Sequence, residues 1–192
     1  MPLILTSGPA VEPVTLAEAK AQLRVDGSAE DTLIASLIAT SRLHVEAAAG
    51  LALITQAWSW YLDAWPPGRA VALPLHPLLS IAAVRLYDEA GAVTTLEPGG
   101  YLLDGAGPHP RLVRLGAPAW PRPGRLGNGI EIAFTAGYGP AAADVPAPLR
   151  QAILLLVAHW YEHRTPLAEA TAATPLPDMV AGLLAPYRAM RL

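Results

Sequence analysis

Cysteine is absent from the 192 residues, which excludes disulfides, thiolate metal sites and a cysteine nucleophile. That absence fits a reducing interior. Charge is scarce too: charged residues make up 15% of the chain, and 16 acidic against 13 basic side chains leave a formal net charge of -3. A dedicated DNA-binding protein normally carries a basic stripe that displaces counterions from phosphates. The balance here argues against one, although a weakly acidic wall suits DNA that only slides past. Long apolar runs are missing as well. The longest, Ala152 to Tyr161 with His159 interrupting, is about half of what a bilayer span needs. The opening Met1-Pro2-Leu3-Ile4-Leu5-Thr6 has no basic segment followed by a long apolar one, as a secretory signal has. Together these features predict a soluble cytoplasmic protein with no membrane partner. Clear internal repeats and long low-complexity tracts are also absent.

What is present is an apolar chain, 53% hydrophobic, able to bury a substantial core. Its 20 prolines and 16 glycines cluster between positions 64 and 148 and thin out over 15–49 and 149–164. That contrast predicts helices towards both ends with turn-rich strand material between them. Thr15-Leu16-Ala17-Glu18 is a capping box, so a first helix opens at Thr15 and runs to about Arg24. Asp26-Gly27-Ser28 breaks it, and Ser28 is the expected cap of a second. That helix carries Leu33, Ile34, Leu37, Ile38 and Val45 as one apolar stripe and ends at Gly50. From Ile54 the period changes to two: Ile54, Gln56, Trp58, Trp60 and Leu62 alternate with Thr55, Ala57, Ser59, Tyr61 and Asp63 up to Trp65-Pro66-Pro67-Gly68. On that alternation Trp58 and Trp60 are core residues, and Trp65 and Trp120, each before a proline, are rim or contact residues. Further strands are predicted over 71–75, 81–87, 101–103, 112–115 and 130–135, about six in all. Asp88-Glu89-Ala90-Gly91 is a hairpin turn between the second and third of these. After Val145-Pro146-Ala147-Pro148 a core helix covers 149–162. The chain closes over 178–192 with a stripe of Val180, Leu183, Leu184, Tyr187 and Met190. Pro186 must kink or divide it.

One string looks catalytic. His159-Trp160-Tyr161-Glu162-His163 fits the HxxEH pattern, in which two histidines on one helix face chelate zinc and Glu162 acts as general base. A third ligand is needed, and downstream only Glu169 and Asp178 are available. The plainer reading is an amphipathic helix end with His163 and Arg164 near its negative terminus. Gly137-Tyr138-Gly139-Pro140 faintly resembles a phosphate loop, but Pro140 removes an amide donor and no Lys-Ser or Lys-Thr follows. None of the serines sits in a GxSxG elbow. No enzyme activity, metal or cofactor is expected; a small zinc metallopeptidase is the alternative.

Three stretches together are similar to one known family. They are Thr15-Leu16-Ala17-Glu18-Ala19-Lys20 with Leu23-Arg24-Val25-Asp26; Asp31-Thr32-Leu33-Ile34 and Leu37-Ile38 leading to Leu53-Ile54-Thr55-Gln56-Ala57-Trp58; and Phe134-Thr135-Ala136-Gly137-Tyr138-Gly139, Val145-Pro146 and Leu149-Arg150-Gln151-Ala152-Ile153, with Tyr161-Glu162-His163-Arg164 completing the last helix. The chain resembles the head–tail connector, or adaptor, proteins of long-tailed phages and gene transfer agents. The resemblance implies an α+β fold: a single adaptor domain over 1–192, with a small bundle from helices at 15–50 and 147–164, a β-rich insertion at 53–139 and a C-terminal docking segment at 178–192. It implies a homo-oligomeric ring of about twelve copies, set between a portal protein and a stopper or tail-terminator protein. Double-stranded DNA would cross its lumen without sequence-specific binding. Assembly would occur in the host cytoplasm, followed by residence in the particle neck. It also implies that Leu183, Leu184, Tyr187, Met190 and Leu192 anchor in the portal, with Arg188 and Arg191 as charges at the rim.

Overall fold

The computed structural model describes residues 1–105, 109–116, 119–163 and 178–188, and these form an α+β fold. The chain divides into two compact units. One, mainly sheet, joins Met1–Ala10 to Thr55–Tyr138; the other, helical, joins Val11–Ile54 to Gly139–Leu192.

The helical unit begins with α1 (Leu16–Leu23), opened by the Thr15 capping box. The Glu18 amide donates to Thr15 Oγ1, and the Glu18 carboxylate accepts the Thr15 amide at 2.8 Å. Arg24 closes the helix in the left-handed region, at φ 55°. The second helix, α2 (Asp31–Ala49), is capped by Glu30 without a side-chain hydrogen bond, not by Ser28 as expected. The start is held from outside instead: Lys20 Nζ reaches Asp31 Oδ1 at 2.7 Å and also the Gly27 carbonyl. Gly50, at φ 70°, ends α2 where a left-handed residue is required. The central helix α3 (Ala147–Glu162) buries Leu149, Ala152, Ile153, Leu156 and Val157, a stripe at helical spacing. Ile34, Ile38 and Val45 of α2 are likewise sealed from solvent. A last short helix, α4 (Asp178–Leu184), lies against α3 and α2. It passes into a 3-10 turn at Ala185–Tyr187 with Pro186 in its first positions, so the proline divides the segment as its chemistry demands.

The sheet unit contains eight strands among the described residues: β1 (Leu3–Ser7), β2 (Gln56–Leu62), β3 (Ala70–Ala72), β4 (Leu78–Tyr87), β5 (Val93–Thr95), β6 (Tyr101–Asp104), β7 (Arg111–Arg114) and β8 (Ile130–Ala136). A five-stranded antiparallel sheet runs β1-β2-β8-β4-β5, and a three-stranded one runs β3-β7-β6. Two strands, β1 and β5, lie outside the six expected from sequence. Asp88–Gly91 does turn a hairpin, but its second arm is β5: the Gly91 and Ala92 amides both return to Asp88.

Registers place Trp58 opposite Phe134, Trp60 opposite Ile132 and Leu62 opposite Ile130, so one face of the large sheet is apolar. Its deepest residues come from the central strand, where Ile130, Ile132 and Phe134 are buried. Trp58 and Trp60 are only half-buried, which corrects the expectation that they are core residues. On β2, the strand next to the β1 edge, burial is reached only at Gln56, Ser59 and Leu62. The opposite face carries a buried carboxylate, Glu131, 5% exposed. It accepts from Ser59 at 2.8 Å and Tyr87 at 2.6 Å, and Arg85 Nη1 stands 3.1 Å away.

Candidate functional site

The C-terminal segment has two distinct sides. Val180 and Leu184 are fully buried in the helical unit. Leu183 and Tyr187 are half-buried, Arg188 is exposed, and Met179 is 68% exposed. Of the anchors implied by the resemblance, Leu183, Tyr187 and Arg188 therefore stand at or near the surface, whereas Leu184 faces its own unit. Met190, Arg191 and Leu192 lie outside the described residues. Met179, outside the stripe read from the sequence, stands one turn before Leu183 and so shares its side of the helix. Gly182 is exposed, and a methyl group there would meet only open space.

The HxxEH string occupies the last turns of α3. The His159 and His163 rings lie 4.6 Å apart, and a ring nitrogen of His163 sits 2.8 Å from the His159 carbonyl oxygen. Trp160 packs edge-on to His44, and Tyr161 donates to Glu30. Glu162 is exposed, Glu169 lies outside the described residues, and among the described residues no three His, Asp or Glu are grouped to hold a metal. Among the described residues, the two histidines come together without the third ligand that zinc chemistry requires.

The Gly137–Pro140 stretch is a strand-to-helix turn. Asp144 accepts the Ala141 amide at 2.8 Å, and a Cβ on Gly139 would overlap the same carboxylate. An amide of this turn is thus already taken up by the chain's own acid. Glu131 and Ser59 form a hydroxyl–carboxylate pair, but not a nucleophile and base. Burial alone would push the Glu131 carboxyl up, yet the bonds from Tyr87, Ser59 and Arg85 outweigh it and hold the group below its usual range. A carboxylate so stabilised is a poor proton acceptor. Reciprocally, the bond to Glu131, with burial, pushes the Tyr87 hydroxyl up to about 12.

Trp65 and Trp120 stack at 4.3 Å with an interplanar angle of 17°. Their indole nitrogens donate to the Pro121 and Arg69 carbonyls, and Arg114 lies over the Trp120 ring. Trp120 is buried, so it is a packing residue of the loops and not a rim residue. The adjoining open depression, about 480 Å³, includes Arg122, Arg125 and the almost fully exposed Leu126. Nothing in it converges on a reacting atom.

No protein-family model matches the chain, and no curated protein matches it. Solved structures do. A chain from the neck of an empty gene transfer agent particle, computed with C6 symmetry, is 31% identical at a TM-score of 0.86, covering 100% of this chain and 97% of that one. A chain from the virion of a native gene transfer agent particle matches with the same identity and coverage at 0.84. A third, from the neck of a native particle computed with C12 symmetry, is 31% identical at 0.77, covering 98% of this chain and 97% of that one. Near-complete overlap in both directions with chains of gene transfer agent necks and of a virion marks this chain as a structural protein of such particles. The chain belongs to the head–tail connector, or adaptor, family of gene transfer agents and long-tailed phages.

Proposed function

We propose that this adaptor assembles into a ring of about twelve copies, set between a portal protein and a stopper or tail-terminator protein, with double-stranded DNA crossing its lumen. The observation that carries the reading is the 31% identity to a neck chain over the whole length of this one, at a TM-score of 0.86. Like that reading, the C12 symmetry of a similar neck favours a ring of this order. The charge distribution supports passage without capture. The whole acidic excess falls in the helical unit, while the sheet unit has as many arginines as acids. A lumen without a basic stripe does not hold DNA by counterion release. On this reading subunits assemble in the host cytoplasm and end in the neck of the released particle.

The C-terminal segment is the portal-facing element in this proposal. Leu184 and Val180 seat α4 on its own unit, and Met179, Leu183, Tyr187 and Arg188 present the side that a partner groove can take, in the manner of an amphipathic helix. Met190, Arg191 and Leu192, which follow in the sequence, are assigned to the same docking segment in this proposal. The test is a chain ending at Ala185. It keeps its unfolding transition, and particles made with it lack attached tails; normally tailed particles would remove the docking role.

A further inference from the structure

We propose that the two edges of the five-stranded sheet join copies of this chain head to tail, β1 of one copy adding to β5 of the next. The inference rests on the ring reading above and names the surfaces that close the ring. β1 and β5 are the outermost strands of one open sheet, and among the described residues no strand covers either. In an antiparallel ladder successive residues turn their amide and carbonyl groups to opposite sides. The Tyr61 amide donates to the Pro2 carbonyl, so Pro2 and Ile4 bond inward and the backbone groups of Leu3 and Leu5 point out of the sheet. At the far edge Asp88 donates to Ala92 and Leu96 donates to Val84, which leaves Val93 and Thr95 pointing outward. Each edge therefore offers alternating donors and acceptors along its rim.

Sheets that work alone guard such rims with lysine, proline or inward charges, because an open edge is a template for another chain. Neither edge here is guarded in that way. Leu3–Ser7 and Val93–Thr95 contain no charged residue and no proline, and an irregularity in β1 falls only after Leu5. The residues are good strand formers. They also leave apolar surface uncovered: Ile4 is 49%, Leu5 44% and Val93 51% exposed. The occupant that fits is a second copy. A ring closed by rotation needs two different surfaces on each subunit, and the two ends of one sheet are such a pair. A two-fold β1-to-β1 joint would leave β5 unused and stop at a dimer.

Because the chain has no cysteine, introduced thiols are the only ones it contains. Particles are prepared with the double variant Leu5→Cys/Thr95→Cys, treated with a short bismaleimide and separated on a denaturing gel probed for this chain. The expected result is a ladder of multiples of the chain from the double variant and monomer from either single variant. Monomer alone from the double variant, a dimer from Leu5→Cys alone, or linkage only to a different protein overturns the proposal while the chain remains in the neck. Absence of the chain from purified wild-type particles overturns the neck reading itself, and this inference with it. A second variant, Leu5→Pro, removes an outward amide and spares the ladder to β2. It is expected to unfold like wild type yet form no rings; rings persisting with it would also overturn the proposal.

Discussion

Arg42 and Glu46, one turn apart on α2, form an ion pair at 2.8 Å with each side chain only 10% exposed. Both members are further engaged. Arg42 Nε reaches Glu12 at 2.8 Å, and the other Glu46 oxygen accepts the Leu53 amide at 2.9 Å. The pair thus ties the segment before α1 and the buried segment after α2 to one helix. Removing one partner leaves a charge with no water to solvate it, which typically costs about 3–5 kcal/mol. Arg42→Ala is expected to lower the unfolding free energy of the helical unit by about that amount in a denaturant titration. Glu12→Ala, whose carboxylate is more exposed, should cost less.

Glu131 makes stability depend on pH in a definite direction. Its folded pKa lies below the ordinary 4.5, so its contribution is fully present above that value and is lost as pH falls through the folded pKa. Tyr87 acts at the other end. Its hydroxyl is raised from 10.0 to about 12, so the stability it adds is present below pH 10 and fades as pH rises towards 12. Unfolding free energy measured across pH should show both limbs. Glu131→Gln should flatten the acid limb, and Tyr87→Phe should remove the alkaline one.

Two glycines are expected to respond with opposite signs. Gly182 lies in α4 with open space around it, so Gly182→Ala should stabilise that helix by up to about 1 kcal/mol. Gly139 has the Asp144 carboxylate where a Cβ would go, so Gly139→Ala must displace the group that caps the turn and should lower the melting temperature. Paired thermal melts check both.

On the proposed portal-facing reading, the two sides of α4 separate stability from docking. Leu184→Ala opens a cavity at a fully buried site and should cost about 2–5 kcal/mol. Met179→Asp acts on an exposed residue and should leave stability nearly unchanged while weakening attachment to the portal. Thermal unfolding, together with co-purification of the portal protein, distinguishes the two effects.

The helices were legible because their signals are local. The Thr15 capping box, Gly50 at a left-handed C-terminus and the break at Pro186 are each decided within a few residues, and all three appear in the structure. The cap of α2 was misplaced because Lys20, eleven residues before Asp31, holds its start, and no local pattern encodes that. β1 and β5 escaped notice for a related reason. Edge strands need not alternate between buried and exposed positions; Ile4 to Ser7 and Val93 to Thr95 are exposed throughout. The same non-locality explains Trp58 and Trp60, whose period-two pattern places them on the apolar face but does not say that β2 lies beside the edge. In the C-terminal segment the stripe was readable, but which of its members face inward depends on the packing of α4 against α3.

The neck of particles built with this chain, reconstructed by electron microscopy at a resolution that places helices, tests the account most directly. It should show a ring of about twelve copies below the portal, each contributing its C-terminal segment upward and its five-stranded sheet to a lateral joint, with DNA density through the middle. A neck whose ring is built from another protein, with this chain missing or attached elsewhere as single copies, would contradict it.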